Sequence, residues 1–196
     1  NRTCFVVERD VDYWTDSIVK TDLSVLTEDE EGLLGSARYV LCDVLVRSQA
    51  EKFKKLRFHS HENVGYGEIH LPPEETQTRS IALVFDAASR SGAFLAGLGE
   101  SRRAALVAAT GKLIHDLAPV FLMCDPRDLG RSERVRDPHF GAPALFIYDR
   151  YPGGTGLAEG LASNLFAVIA AARDRLSSCT CRDACPSCLG VDFASV

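Results

Sequence analysis

Four cysteines near the end of the chain have the residue type and spacing of a metal site. Cys179, Cys181, Cys185 and Cys188 follow the pattern C-x-C-x3-C-x2-C, with Pro186 stiffening the last turn. Thiolates are soft ligands, and four of them can surround Zn²⁺ tetrahedrally at about 2.3 Å each. Four protein ligands leave no open coordination position, so the pattern predicts one structural zinc per chain rather than a catalytic one. An iron–sulfur cluster, which also uses four thiolates, and unligated cysteines are the alternatives.

Two basic stretches are candidate nucleic-acid contacts. The first has five cations against Glu51, with Phe53 and Phe58 interleaved, and the second is an Arg-rich segment that carries acids as well. Lysines and arginines can bind phosphates while aromatic rings stack on bases. The alternative for the first stretch is an edge strand whose lysines protect it from aggregation. The candidate contacts are Arg47, Lys52, Lys54, Lys55 and Arg57 in the first stretch, with Arg127 and Arg131 in the second.

The segment "YPGGTG" has the composition of a phosphate-binding loop. Pro152, Gly153 and Gly154 follow an apolar run and precede a helical pattern, which is the layout of a phosphate cradle at a helix N-terminus. However, no Lys follows the glycines, and no G-x-x-x-x-G-K-[ST] is present in the chain. We therefore predict a structural turn and no nucleotide site, with a DNA phosphate at the helix N-terminus as the alternative.

No catalytic motif stands out elsewhere in the chain. Neither a G-x-S-x-G elbow nor an H-E-x-x-H sequence is present, and no Ser, His and Asp form a recognisable arrangement. The sequence predicts no catalytic residue, and it leaves open whether the protein is an enzyme.

The second half of the chain supplies the helices that position these groups. A helix that begins near Gly156, with Thr155 as its N-cap, runs about five turns and delivers its C-terminal end to Cys179. An earlier helix is predicted from Ser101 to about residue 118, where Pro119 ends it. We expect a short buried strand or loop entry at residues 120–124, a polar connection over 125–143, and a strand at 144–148.

The first half of the chain is predicted to be β-rich. Runs of β-branched and aromatic residues at 3–8, 37–46, 66–71 and 79–85 predict short strands, and "TEDEEG" between the first two predicts a solvated loop. The predicted fold class is α+β. A small antiparallel sheet or barrel (residues 1–88) precedes a mostly α-helical Cys4 zinc-binding domain (residues 89–196).

The totals exclude several classes of protein. A hydrophobic fraction of 46% and a charged fraction of 25% are those of a globular chain. A net charge of −5 argues against a protein whose whole surface binds nucleic acid. We expect no membrane-spanning run and no secretory signal. The clustering of four of the seven cysteines favours a reducing, cytoplasmic location over a secreted disulfide framework. The chain begins at Asn1 without Met, as a piece of a longer protein would.

Three motifs together resemble a known family. The segments "MCDPRDLG", "ALFIYDRYPGGTGLAEGL" and "CTCRDACPSC" resemble, in order and spacing, the zinc-binding domain at the C-terminus of the MrfA-type DNA helicases. The lysine-rich strand, glycine and "LP" pattern of residues 46–80 is similar to the segment that precedes that domain.

The resemblance implies a parent protein and roles for some residues. The parent would be an ATP-dependent superfamily 2 helicase that moves 3′ to 5′ on DNA and acts in repair of damage such as crosslinks. Its RecA-like motor domains would lie upstream of this chain. The four clustered cysteines would be its metal ligands. The chain would then be an accessory region that contacts DNA or supports the motor. The alternatives are a partner-binding zinc subunit of an anti-phage defence system and a stand-alone structural scaffold.

Overall fold

A computed structural model describes residues 2–3, 13–181, 185 and 188–189. Contacts divide the chain into two compact units that are not continuous in sequence. One, here called the hairpin unit, comprises residues 1–23 and 46–76. The other, the core unit, comprises residues 24–45 and 77–196. The bounds of these two units differ from those of the domains predicted at 1–88 and 89–196. The predicted division into those two domains stays a prediction.

The core unit is an open sheet with helices, so the α+β class is confirmed and the sheet is not a barrel. Its strands are β2 (Tyr13–Leu34), β3 (Ala37–Arg57), β5 (Glu74–Val84), β6 (Leu129–Arg134) and β7 (Ala144–Asp149). Their order in the sheet is β2-β3-β5-β7-β6, and β5 and β6 both pair antiparallel with β7. The helices are α1 (Arg90–Ala96), α2 (Glu100–Leu122) and α3 (Leu157–Ser178), with a short 3₁₀ turn at Pro126–Asp128.

The hydrophobic core lies between the sheet and the helices. Helix α2 packs against α3, β6 and β7, and α3 also packs against β7. Alternate residues of β5 and β7, such as Ile81 and Ile147, meet the buried stripe of α3. All six residues of β7 are buried, as expected for a strand inside a sheet. This packing fixes α3, the helix that leads to the cysteines.

The hairpin unit contains residues 13–23 of β2, 46–57 of β3 and 74–76 of β5, together with two further strands. The short β1 (Arg2–Thr3) pairs antiparallel with β2, and β4 (Asn63–Glu68) pairs antiparallel with β3. Lys52 lies opposite Glu68, and the pairing continues to Leu56 opposite Asn63, with an irregularity after Lys55. Residues 4–8 of the strand predicted at 3–8 lie outside the described residues.

The prediction of a solvated loop at "TEDEEG" is wrong, because the segment lies within β2. Its acids have partners on other elements of the fold. Glu31 contacts Arg38, Asp29 contacts Arg79, and an oxygen of Glu28 lies 2.6 Å from a ring nitrogen of His139. Arg38 and Arg79 thus supply positive charge to this acidic strand, and His139 supplies a hydrogen-bond partner.

The boundaries of α2 also differ from the prediction. The helix begins at Glu100 after Gly99, without a side-chain cap, and it continues through Pro119 to Leu122. Residues 120–122, predicted as a strand or loop, therefore belong to the helix. Pro119 removes one hydrogen bond near the end of the helix, where the break is tolerated. The predicted polar connection 125–143 contains β6, so the second half adds two strands to the sheet and is less helical than expected.

Helix α2 is apolar enough to raise the question of whether it spans a membrane. Among the described residues it alone could cross a membrane by length and composition, with a mean hydropathy of 1.4 over its most apolar window. The core helix of a soluble protein passes the same test. Six of its residues are buried in this fold, including Val107, Ile114 and Ala118, so the helix has a core role.

Candidate metal centre

Helix α3 presents an apolar face to the core and leads directly into the cysteines. Ala158, Leu161, Leu165, Val168 and Ala172 are buried, with the spacing of one helical face. The helix ends at Ser178, and Cys179 takes an extended backbone at its C-cap. The position of Cys179 is therefore set by the packing of the whole helix.

The N-terminal end of α3 is held by a buried carboxylate. Asp149, the last residue of β7, is fully buried. It accepts hydrogen bonds from the backbone N–H groups of Thr155 (2.5 Å), Leu157 (3.2 Å) and Ala158 (2.9 Å), and from the hydroxyl of Thr155 (3.1 Å). The predicted N-cap Thr155 is wrong, because the helix starts after Gly156 and its free N–H groups bond to Asp149. An anion of the chain itself occupies the place that a phosphate would take, which leaves no room for the DNA phosphate considered above.

The glycine turn makes room for an ion-pair cluster. Gly154 has φ +78°, and a Cβ there would lie 2.5 Å from Cγ of Arg79. Arg79 Nε donates to Glu159 in the first turn of α3 at 2.8 Å, and its Nη1 contacts Asp29 and Asp43. This guanidinium holds the pKa of Asp43 below its usual value. The turn of Pro152, Gly153 and Gly154 therefore lets one arginine join α3 to three strands.

The four cysteine sulfurs converge at the other end of α3. All four Sγ atoms lie within 4.8 Å of one another. The Cys179 Sγ is 3.2 Å from that of Cys181 and 3.5 Å from that of Cys185, and the Cys188 Sγ is 3.6 Å from those of Cys181 and Cys185. A tetrahedral zinc with 2.3 Å bonds places sulfurs about 3.8 Å apart. The separations exceed the roughly 2.05 Å of a disulfide, so four independent donors are present.

The chemistry of this cluster fits a soft divalent cation. The backbone N–H of Cys185 donates to Sγ of Cys188 at 3.2 Å and lowers the pKa of the Cys188 thiol to about 6. The Cys179 sulfur beside Cys181 raises the pKa of the Cys181 thiol to about 12. Four thiolates this close repel one another, so all four can be deprotonated together only around a cation. The donor set is that of zinc or an iron–sulfur centre, and all four tetrahedral positions come from protein.

The first basic stretch lies in the hairpin unit, where its cations differ in their partners. Arg47 lies 3.7 Å from Glu75 and Arg57 lies 3.8 Å from Glu62, between guanidinium nitrogen and carboxylate oxygen. Within the described part of the chain, the ammonium groups of Lys52, Lys54 and Lys55 make no ion pair. The lysines therefore keep the unpaired charge of this stretch.

The two arginines of the second stretch lie in the core unit and have acidic partners. Arg127 is exposed and forms a fork with Asp125, with contacts of 3.1 Å and 2.9 Å. Arg131 Nη1 lies 2.5 Å from an oxygen of Glu133 and donates to the carbonyl of Ala108. A phosphate would have to compete with these carboxylates.

Comparison with known proteins identifies the family. Residues 110–189 match the model of the MrfA Zn-binding domain. Over its whole length the chain is 32% identical to the "Uncharacterized ATP-dependent helicase YprA" of Bacillus subtilis (strain 168), of which it spans 25%. It is also 37% identical, over 79 residues, to an uncharacterised protein of Methanocaldococcus jannaschii, and this match covers 70% of that protein. The chain belongs to the MrfA Zn-binding domain family.

Solved structures extend the likeness beyond the MrfA Zn-binding domain. The crystal structure of the DUF1998 helicase MrfA bound to DNA matches 93% of this chain with 33% identity and a TM-score of 0.72. Another crystal structure of the DUF1998 helicase MrfA matches 89% of the chain with 30% identity and a TM-score of 0.62. The chain spans about a quarter of each helicase, 24% and 22%, and corresponds to its C-terminal part.

The cysteines could be found from sequence, but the residues that hold α3 could not. The spacing alone predicts a metal site at Cys179, Cys181, Cys185 and Cys188. No local pattern predicts the roles of Asp149 and Arg79, because their partners lie in other elements of the fold. The one available signal was an Asp at the end of an apolar run, a few residues before a helix.

Proposed function

We propose that this chain is the C-terminal accessory region of an ATP-dependent DNA helicase that moves 3′ to 5′ and acts in DNA repair. The observation that carries the proposal is the similarity of 93% of the chain to MrfA bound to DNA, at 33% identity. The likeness covers both the β-rich and the zinc-binding parts, so it is a likeness of the whole region. RecA-like motor domains elsewhere in the parent protein would hydrolyse the ATP.

In this proposal Cys179, Cys181, Cys185 and Cys188 bind one zinc. The sulfur separations and the closed donor set support this assignment. The zinc closes the knuckle at the end of α3 and takes no part in chemistry, because no coordination position is left for water or substrate. The thiolates require the reducing conditions of the cytoplasm, which is the location we propose.

Contact with DNA is the second part of the proposal. Lys52, Lys54 and Lys55 in the hairpin unit are the cations best placed for it, since their charges are unpaired within the described residues. Arg47, Arg57, Arg127 and Arg131 would contribute only if phosphate displaces their carboxylate partners. Binding of this kind weakens steeply with added salt.

Metal analysis of the purified chain tests the zinc assignment. We expect about one zinc per chain, a colourless protein, and loss of the metal in Cys185→Ser. Cys124→Ser is the matched control, because Cys124 is a half-buried cysteine outside the cluster. Iron with a brown colour, or metal retained in Cys185→Ser and lost in Cys124→Ser, would contradict the assignment.

The helicase part is tested on the parent protein. The gene upstream of residue 1 should encode a P-loop and a DEAH-like box in the same chain. The full-length protein should unwind a duplex with a 3′ single-stranded tail and leave one with a 5′ tail intact. Unwinding of the 5′-tailed duplex would contradict the proposed polarity.

A stand-alone zinc scaffold is the second candidate. It is favoured by the relative from Methanocaldococcus jannaschii, in which the matched segment makes up 70% of the protein. A gene that encodes no motor, together with full zinc loading and no salt-sensitive DNA binding, would support this candidate over the helicase region.

A further inference from the structure

The register of β3 and β4 divides the basic stretch between two faces of the hairpin unit. Lys54 lies directly opposite Tyr66, and Lys55 directly opposite Gly65. Because side chains alternate along a strand, Lys52, Lys54 and Tyr66 share one face, while Phe53 and Lys55 lie on the other. Lysines that are adjacent in sequence therefore cannot act as one patch.

Phe53 and Tyr66 differ in their surroundings. Phe53 lies over the backbone of Gly67, where a Cβ would come within 2.2 Å of its ring, so its ring serves to pack the strands. Tyr66 is 62% exposed and stands beside Lys54, since directly opposed Cβ atoms are about 5 Å apart. Tyr66, which the sequence did not single out, is thus the accessible aromatic of the pair.

The charges on the face of Tyr66 are available to a ligand. Lys52 and Lys54 make no ion pair within the described residues. Glu68, opposite Lys52, lies 3.8 Å from a ring nitrogen of His70. An exposed ring flanked by two unpaired lysines is the composition of a surface that binds single-stranded nucleic acid, where rings stack on bases and cations neutralise phosphates.

We propose that Tyr66 is a stacking platform for an unpaired base of single-stranded DNA, with Lys52 and Lys54 on the flanking phosphates. The proposal rests on the DNA role proposed above and names the form of DNA and the residues. Charge complementarity selects the occupant: two unpaired cations beside the ring suit a polyanion better than an apolar protein surface. On the face of Lys55, the ring of Phe53 packs against Gly67, so we expect no base to stack on it.

The test compares two labelled strands of about 15 nucleotides, one oligo-dT and one abasic, on the 196-residue chain. The abasic strand keeps the phosphates and removes the bases. We expect the chain to bind oligo-dT more tightly than the abasic strand. Tyr66→Ala should weaken oligo-dT binding about fivefold to 100-fold and leave abasic binding unchanged. Tyr66→Phe keeps the ring and should restore binding.

Two controls match the variants. Phe94→Ala removes a phenylalanine that is also 62% exposed, in the core unit, and should not change binding. Lys54→Gln should lower the salt slope by about 1, whereas Lys112→Gln, which removes an ammonium paired with Asp116 in the core unit, should leave it unchanged.

The outcomes separate this proposal from the one on which it rests. Salt-sensitive binding that is equal for the two strands, or unaffected by Tyr66→Ala, would overturn the platform and leave DNA contact intact; the exposed ring would then suit a protein partner. Absence of any salt-sensitive binding by the wild-type chain would overturn both. If Tyr66→Ala does not fold, the comparison of the two strands on the wild-type chain and on Tyr66→Phe still decides.

Discussion

The two ends of α3 carry opposite charges, and those charges are neutralised in different ways. At the N-terminal end, unpaired N–H groups carry partial positive charge, and the chain supplies its own buried anion, Asp149. At the C-terminal end, four sulfurs gather within 4.8 Å and need a cation that the chain does not supply. One end is complete once the backbone has folded, while the other depends on metal supply. Stability at the two ends should therefore respond to different variables.

Removal of the metal should give the largest effect. A structural zinc contributes on the order of 10 kcal/mol to the folding of a small knuckle. Treatment of the zinc-loaded chain with a strong chelator should lower its melting temperature by about 10 °C or more. Differential scanning calorimetry measures this change, and added zinc should reverse it. A melting temperature that is unchanged by the chelator would mean that the knuckle does not stabilise α3.

Loss of Asp149 should give the next largest effect, and one that does not depend on zinc. Asp149→Ala leaves buried N–H groups without an acceptor, which should lower the free energy of unfolding by about 3 kcal/mol. Urea unfolding with and without chelator measures it. Asp174→Ala, which removes an exposed acid paired with Arg173 on the same helix, should change the free energy by less than about 0.5 kcal/mol.

The two ends should also act independently of each other. The 22 residues of α3 separate them by about 33 Å, so the effects of Asp149→Ala and of the chelator should add. A destabilisation by Asp149→Ala that disappears when zinc is removed would show that the ends are coupled.

The smallest effect should come from the glycine turn. Gly154→Ala meets both a left-handed backbone and the side chain of Arg79, and it should lower the free energy of unfolding by about 2 to 3 kcal/mol. Gly153→Ala is the matched control, since it has φ +77° and open space around its Cβ position, and it should cost only about 1 kcal/mol. Equal losses in the two variants would mean that Arg79 moves aside freely.

The features that could be predicted from the sequence are those that depend on one short segment. The cysteine spacing, the apolar stripe of α3 and the strand that precedes the turn are periodic or motif-like, so one short segment suffices to recognise each. The same holds for the α+β class. These features depend on few long-range partners.

The missed features depend on partners far along the chain. The acidic segment of β2 contacts Arg79 and His139, which lie 50 and 111 residues further along the chain, and no local pattern shows that. Likewise, the separation of Lys54 from Lys55 follows from the pairing register with β4. The lysines of this charge run therefore lie on two faces of the strand, and Tyr66 is exposed across the ladder from Lys54.

The pairing of β5 with β7 has a consequence for how the chain folds. Val84 pairs with Ala144 and Ser80 with Tyr148, so this contact closes a loop of about 60 residues, and such non-local pairing slows folding. During synthesis, β5 leaves the ribosome well before β7 exists to cover it. Its apolar residues must wait for several seconds at typical elongation rates. The core unit should therefore fold only after α3 has been made, and in a long protein this region would be a natural client for chaperones.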